Sequence, residues 1–122
     1  MSIESIQKYN LESYKLRKPQ KEDLAQLLKA CQKNLSEQDK ERITKAFKLC
    51  YLSHKRVKRA SGEPYYYHPV EVAKIVAKKI NMDVTSVVAA LLHDTIEDTD
   101  VEVVDIEYWF GNEAVSYTHL TL

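Results

Sequence analysis

The chain has 122 residues, which suits a single domain, and 44% of them are hydrophobic, enough for a packed core. Its 18 basic and 18 acidic residues cancel, so no global field favours nucleic acid and no direct nucleic-acid contact is expected. No apolar run approaches the roughly 20 residues of a membrane span, and the first residues lack a signal-peptide pattern. Cys31 and Cys50 have no metal-type spacing and are interpreted as buried reduced thiols. We therefore predict a cytoplasmic protein that does not bind a membrane.

Amphipathic helices, separated by scarce prolines and glycines, fill the first half of the chain. A first amphipathic stretch, residues 3–16, is predicted to end before Pro19. A second helix is predicted over residues 22–34, with its leucines on one stripe. Ser36 resembles a helix start, and a third helix is predicted over residues 37–58. Its predicted core positions are Ile43, Ala46, Phe47, Cys50 and Tyr51.

Further helices are predicted in the second half of the chain. Pro69 suits the first position of a helix, because its missing N–H is not needed there. Residues 84–97 are predicted to form a helix that is apolar around most of its circumference, which places it in the middle of a bundle. Thr99 with Glu102 resembles a capping box for a last helix, which Gly111 is expected to end. Since no alternating β pattern of useful length competes, the predicted fold class is all-α, a helical bundle.

One histidine and three acids cluster at the end of the most apolar predicted helix. His93 and Asp94 precede Glu97 and Asp98 by four residues, and residues four apart share a helix face. Three carboxylates this close together repel each other, and a divalent cation would relieve that repulsion. An imidazole nitrogen with a carboxylate oxygen suits Mn²⁺, Fe²⁺ or Zn²⁺. His68, beside another helix start, is the best third ligand, and no fourth is evident.

The same residues also have plainer interpretations. The acids after His93 would form a solvated helix end, although acids are disfavoured at a helix C-terminus. His54, in the middle of a predicted helix, is interpreted as structural. A basic cluster that follows it is either a solvated face or a contact for a phosphate or a base. The members of this cluster are Lys55, Arg56, Lys58 and Arg59.

Four blocks of sequence, in order and at matching spacing, resemble the hydrolase domain of RelA/SpoT homologues. The blocks are RASGEPY at residues 59–65, His68-Pro69 with Val72-Ala73, AALLHDTIEDT at residues 89–99, and Phe110-Gly111. These homologues belong to the HD superfamily of metal-dependent phosphohydrolases, so the resemblance implies an all-helical domain. It also implies removal of the 3′-pyrophosphate from ppGpp or pppGpp to give GDP or GTP, with one Mn²⁺ as the usual metal ion.

The resemblance assigns roles to individual residues. The implied metal ligands are His68, His93 and Asp94, and the residues implied to order or activate the attacking water are Glu97 and Asp98. Arg59 is implied to lie against the guanine, and Ser61 to frame the nucleotide pocket. Val57 stands where the family often has glutamine, which changes the pocket but no ligand.

The resemblance further implies a piece of a longer protein. Residues 1–40 resemble the helical lead-in of long family members, and residues 41–115 an incomplete HD-type domain. Residues 116–122, with His119, are interpreted as a non-native tail. The family's last ligand, an Asp on a later helix, is not reached, so this chain alone is expected to be inactive. Synthetase and regulatory domains are the expected partners in the intact protein.

Other hypotheses remain open. The second is a catalytically silent regulatory domain of a (p)ppGpp synthetase, although silent members tend to lose the His93-Asp94 and Glu97-Asp98 pairs present here. A short stand-alone hydrolase, an HD-type nucleotidase of other specificity and a helical interaction module without chemistry are the others. The block at residues 59–65 argues against the other nucleotidase.

Overall fold

A computed structural model describes the parts of the chain in which the helices lie. The described residues are 11, 14–31, 34–54, 66–79, 83–93, 95, 99, 101–102, 104–108 and 110–111. Four helices span them: α1 (Lys18–Ala30), α2 (Glu37–His54), α3 (Tyr67–Ala77) and α4 (Val84–Leu92). Residues 104–108 and 110–111 are helical as well, and no strand occurs within these ranges. The predicted all-α fold class is confirmed.

Helix α1 begins earlier than the sequence predicted. It starts at Lys18 rather than at residue 22, and Pro19 lies in its first turn. A proline is well tolerated there, because the first N–H groups of a helix have no partner within the helix. Pro19 therefore opens α1, whereas the sequence analysis took it as the end of the preceding stretch. The described residues 14–16 of that stretch are not helical.

Helix α2 begins at Glu37, where the sequence placed it. The Ser36 hydroxyl accepts a hydrogen bond from the Asp39 backbone N–H at 3.0 Å, which caps the first turn. Four of the five predicted core residues are buried, and Tyr51 is half-buried. The described part of α2 ends at His54, and the predicted continuation over residues 55–58 lies outside the described residues.

Helix α4 lies in the centre of the described bundle. The Asp83 carboxylate caps it by accepting from the Thr85 N–H at 2.9 Å. Seven of its nine residues are buried, and it packs against both α2 and α3. The prediction of a central helix is confirmed; α4 is continuous to Leu92, Thr95 is helical as well, and the predicted end at residue 97 stays a prediction. Residues 94 and 96–98 lie outside the described residues.

The predicted capping box is shifted by three residues. The Asp105 carboxylate accepts from the Glu102 backbone N–H at 2.9 Å, and the Glu102 carbonyl accepts from the N–H of Asp105. Glu102 is therefore the capping position, and Thr99 is not. Thr99 instead donates its hydroxyl to the Thr95 carbonyl at 2.6 Å. Gly111 has a φ of +86°, the left-handed conformation in which glycine commonly follows a helix.

The two cysteines are free thiols, with Cys50 buried and Cys31 half-buried. Burial raises the pKa of the Cys31 thiol. Among the described residues, every helix is too short or too polar to cross a lipid bilayer. The predicted domain boundaries at residues 40 and 115, and the predicted cytoplasmic location, stay predictions.

Candidate metal centre

Helices α3 and α4 form an antiparallel hairpin. They pack against each other more extensively than any other pair of helices in the described part of the chain. Only residues 78–83 connect them, and the Lys78 N–H still bonds back to the Lys74 carbonyl at 3.2 Å. A connection this short makes neighbouring helices antiparallel. The first turn of α3 and the last turn of α4 therefore lie at the same end of the hairpin.

Two predicted ligands occupy that end. His68 lies nine residues before Ala77, the end of α3, and His93 lies nine residues after Val84, the start of α4. At 1.5 Å per residue, each histidine is about 13.5 Å along its helix from the connection. His68 and His93 are thus level with each other, and both side chains are half-buried.

The helix boundaries explain how each histidine reaches this end. Helix α3 begins at Tyr67, so Pro69 is its third residue, two positions later than the sequence predicted. His68 consequently lies inside the first turn instead of preceding the helix. His93 follows the last residue of α4 with φ −48° and ψ −50°, so the backbone is still helical there. Both imidazoles are therefore attached to regular backbone, which limits the directions that they can take.

The other predicted site residues lie outside the described residues. They are Asp94, Glu97, Asp98, Arg59 and Ser61. The helix ends place His68 and His93 at the same end of the hairpin, and all seven site assignments stay predictions. Within the described ranges, no group of three or more histidine, cysteine, aspartate or glutamate side chains is arranged to hold a metal ion. A site made of His68, His93 and Asp94 includes one residue beyond those ranges.

The donor chemistry at this end fits a first-row divalent ion. Two imidazole nitrogens on adjacent helices, with the carboxylate of Asp94 next to His93, form the mixed set that Mn²⁺, Fe²⁺ and Zn²⁺ accept. Thr95, the next residue, is fully buried, and its hydroxyl has no hydrogen-bond partner. An unsatisfied buried hydroxyl is commonly a place for an ordered water. The residues present therefore fit a hydrated metal ion.

His54 lies at the end of α2 and is only 1% exposed. Its Nδ1 is 3.0 Å from the Cys50 carbonyl oxygen. A carbonyl can only accept, so Nδ1 carries the proton and the tautomer of His54 is fixed. This burial and this bond support the structural interpretation made from the sequence.

An aromatic cluster that the sequence did not predict surrounds Tyr66, the residue just before α3. Tyr66 is 3% exposed and contacts two aromatic side chains of α2 edge-on. Its ring centroid is 5.0 Å from that of Tyr51 and 6.5 Å from that of Phe47. Three successive tyrosines, residues 65–67, were the available signal, but nothing in their spacing identifies their partners.

Helix α1 reaches the same tyrosine through polar groups. The Tyr66 hydroxyl donates to the Asp23 carboxylate over a long distance of 3.4 Å. Burial raises the pKa of Tyr66 above its ordinary range, with Tyr67 and the Asp23 carboxylate acting in the same direction and Gln20 opposing them. Tyr66 is therefore a neutral phenol that donates to Asp23.

The described helices and the two histidines at one end of the hairpin agree with the all-helical fold that the resemblance implies. The model of the HD domain family matches residues 46–117, more than half of the chain. This chain belongs to the HD domain family.

Three relatives illustrate the similarity. A guanosine-3′,5′-bis(diphosphate) 3′-pyrophosphohydrolase of Vibrio cholerae is 41% identical over 81 residues, covering 66% of this chain and 11% of the relative. The protein of the same name from Aquifex aeolicus is 43% identical over 74 residues, covering 61% and 10%. A GTP pyrophosphokinase of Brucella melitensis is 44% identical over 71 residues, covering 58% and 9%.

These matches confirm the resemblance to RelA/SpoT-type proteins. The chain spans about a tenth of the length of these relatives. Their names describe both the breakdown and the synthesis of guanosine phosphates.

Proposed function

We propose that this chain carries the catalytic centre of a (p)ppGpp 3′-pyrophosphohydrolase. The observation that carries the proposal is the level placement of His68 and His93 at one end of the α3–α4 hairpin. The names of the Vibrio cholerae and Aquifex aeolicus relatives support this choice of reaction and substrate. The products are GDP or GTP and pyrophosphate.

The proposed ligands of one Mn²⁺ are His68, His93 and Asp94. A bound divalent ion lowers the pKa of its water and polarises a phosphoryl oxygen. Glu97 and Asp98 follow Asp94 by three and four residues in the sequence, a spacing at which a carboxylate would be able to orient the attacking water and take its proton. General-base assistance of this kind contributes roughly 10²–10⁴-fold to a rate.

The proposed nucleotide contacts lie in the segment between α2 and α3. A guanidinium group is planar and stacks on a purine, so Arg59 is assigned to the guanine. Ser61 is assigned to the frame of the pocket. The basic residues around Arg59 are proposed to supply local positive charge for the phosphates of the substrate. Such a patch is needed because the net charge of the chain is zero.

A second candidate is a catalytically silent HD domain that regulates a synthetase. The name of the Brucella melitensis relative, a GTP pyrophosphokinase, favours it. The presence of both residue pairs, His93-Asp94 and Glu97-Asp98, favours the active centre. Either candidate is expected to work with synthetase and regulatory domains in one polypeptide. An HD-type nucleotidase of other specificity is the third candidate.

A chimaera separates these candidates. Residues 46–115 of this chain replace the corresponding segment of the Vibrio cholerae hydrolase, and pyrophosphate release from ppGpp is measured with and without Mn²⁺. The proposal predicts Mn²⁺-dependent release that His93→Ala reduces at least 100-fold. A folded chimaera that binds ppGpp without cleaving it would support the silent domain. Cleavage of other nucleotides in preference to ppGpp would support the nucleotidase.

A further inference from the structure

Helix α1 is tied to α3 at two levels. Near the start of α3, the Asp23 carboxylate accepts from the Tyr66 hydroxyl at 3.4 Å. Two turns further along α3, Lys74 Nζ donates to Gln26 Oε1 at 2.9 Å. The first contact is formed by a buried tyrosine, and the second is exposed to solvent.

Tyr66 anchors the first turn of α3 with both its side chain and its backbone. Its carbonyl accepts from the Val70 N–H at 3.2 Å, so Tyr66 caps the helix in which His68 is the second residue. The first turn of a helix has few hydrogen bonds of its own, and its orientation depends on the contacts made by its first residues. Here one of those contacts is made by the buried Tyr66 ring, which lies between α1 and α2.

We propose that Tyr66 is a positioning residue for His68, held by the Asp23 carboxylate of α1, so that α1 sets the direction of a metal ligand on α3. The proposal rests on the metal centre of the proposed function. Helix α1 ends sixteen residues before the matched HD region begins. The proposal gives this helix a role in the metal centre. A change in how α1 packs would thereby alter metal affinity without altering a ligand.

The expected size of the effect follows from how indirectly Tyr66 acts on the proposed ligand. Groups that hydrogen-bond a ligand directly change metal affinity by 10–100-fold when they are removed. Tyr66 acts through two residues of backbone instead of through a bond to the imidazole. We therefore expect loss of its hydroxyl to weaken Mn²⁺ binding about threefold to tenfold.

The test compares three variants of the full 122-residue chain. Tyr66→Phe removes the hydroxyl but keeps the ring between Phe47 and Tyr51. Asp23→Ala removes the acceptor and leaves Tyr66 in place. Gln26→Ala is the matched control, because it breaks the other α1–α3 bond. Mn²⁺ affinity is measured by electron paramagnetic resonance, and the imidazole signals of His68 are recorded by NMR without metal.

The proposal predicts weaker Mn²⁺ binding and shifted His68 signals in Tyr66→Phe and Asp23→Ala, with Gln26→Ala matching the wild type. The double variant of Tyr66 and Asp23 should be no weaker than the more affected single variant, because both act through one bond. Equal affinities and unshifted His68 signals in all variants would overturn this inference alone, and an equal loss in Gln26→Ala would overturn the specific role of Tyr66. If the wild type showed no Mn²⁺ binding that depends on His68, the metal centre itself would be refuted together with the inference.

Discussion

His54 and Cys50 are joined by a hydrogen bond of 3.0 Å between the imidazole Nδ1 and the backbone carbonyl. The bond lies inside α2, where His54 is buried at the end that also carries the contacts to Tyr66. His68 and His93, in contrast, are half-buried. The described histidines therefore differ in burial, and they should respond differently to substitution.

Replacement of His54 should destabilise the fold. His54→Ala leaves a cavity and removes a buried hydrogen bond, and we expect the free energy of unfolding to fall by about 2–3 kcal/mol. The matched control is His68→Ala, which truncates a half-buried side chain and should cost less than about 1 kcal/mol. Urea denaturation followed by circular dichroism measures both values. A larger loss in His68→Ala than in His54→Ala would contradict the structural assignment.

The central position of α4 makes its core residues sensitive to truncation. Leu91 is fully buried, so Leu91→Ala should lower the free energy of unfolding by about 3–5 kcal/mol. Ile75 on α3 is 63% exposed and provides an aliphatic control, for which Ile75→Ala should cost less than about 0.5 kcal/mol. Equal losses measured by urea denaturation would show that α4 is not the core helix.

Stability should fall at alkaline pH through Tyr14. Burial raises the pKa of Tyr14 above its ordinary value of 10.0, and Tyr51 acts in the same direction while Arg17 opposes them. The folded state thus holds this proton more tightly than the unfolded state. The contribution to stability is complete below about pH 10 and is lost as the pH rises through the folded-state pKa.

The check is a thermal melt as a function of pH. Above pH 10, the melting temperature of Tyr14→Phe should decrease less than that of the wild type. Tyr108→Phe, at a residue 68% exposed, is the control and should follow the wild-type curve. If the curve of Tyr14→Phe coincided with that of the wild type, Tyr14 would not contribute to the alkaline loss of stability.

Divalent metal should stabilise the chain if the proposed centre exists. Mn²⁺ at 100 times its dissociation constant would add about 2.7 kcal/mol to the free energy of unfolding. A chelator should reverse the gain, and His93→Ala should abolish it while leaving the metal-free stability almost unchanged. An identical Mn²⁺-dependent gain in wild type and His93→Ala would place the ion elsewhere. Differential scanning calorimetry with and without chelator measures the effect.

The sequence predicted what depends on local patterns. The start of α2 followed from the Ser36 capping residue, and the burial of α4 followed from its continuous run of apolar residues. Pro19 was misjudged because a proline fits both the end of one segment and the first turn of the next. The Thr99 cap failed because Glu102 and Asp105 offered a competing one.

The contacts around the candidate site could not be predicted from the sequence. The bond between Tyr66 and Asp23 joins residues 43 apart, and no periodicity specifies such a partner. That the two histidines lie at the same end of a hairpin could be anticipated, in contrast, because a short connection between two predicted helices already implies an antiparallel pair. Their level placement needed the observed start of α3, which lies two residues before the predicted one.

The most direct test of the metal centre is paramagnetic broadening of histidine NMR signals by Mn²⁺. In the full chain, a stoichiometric amount of Mn²⁺ should broaden the ring signals of His68 and His93 together, because both would bind the same ion. His54, structural and held by Cys50, should be broadened less than either. Broadening of only one of the two predicted ligands, or of neither, would contradict the account.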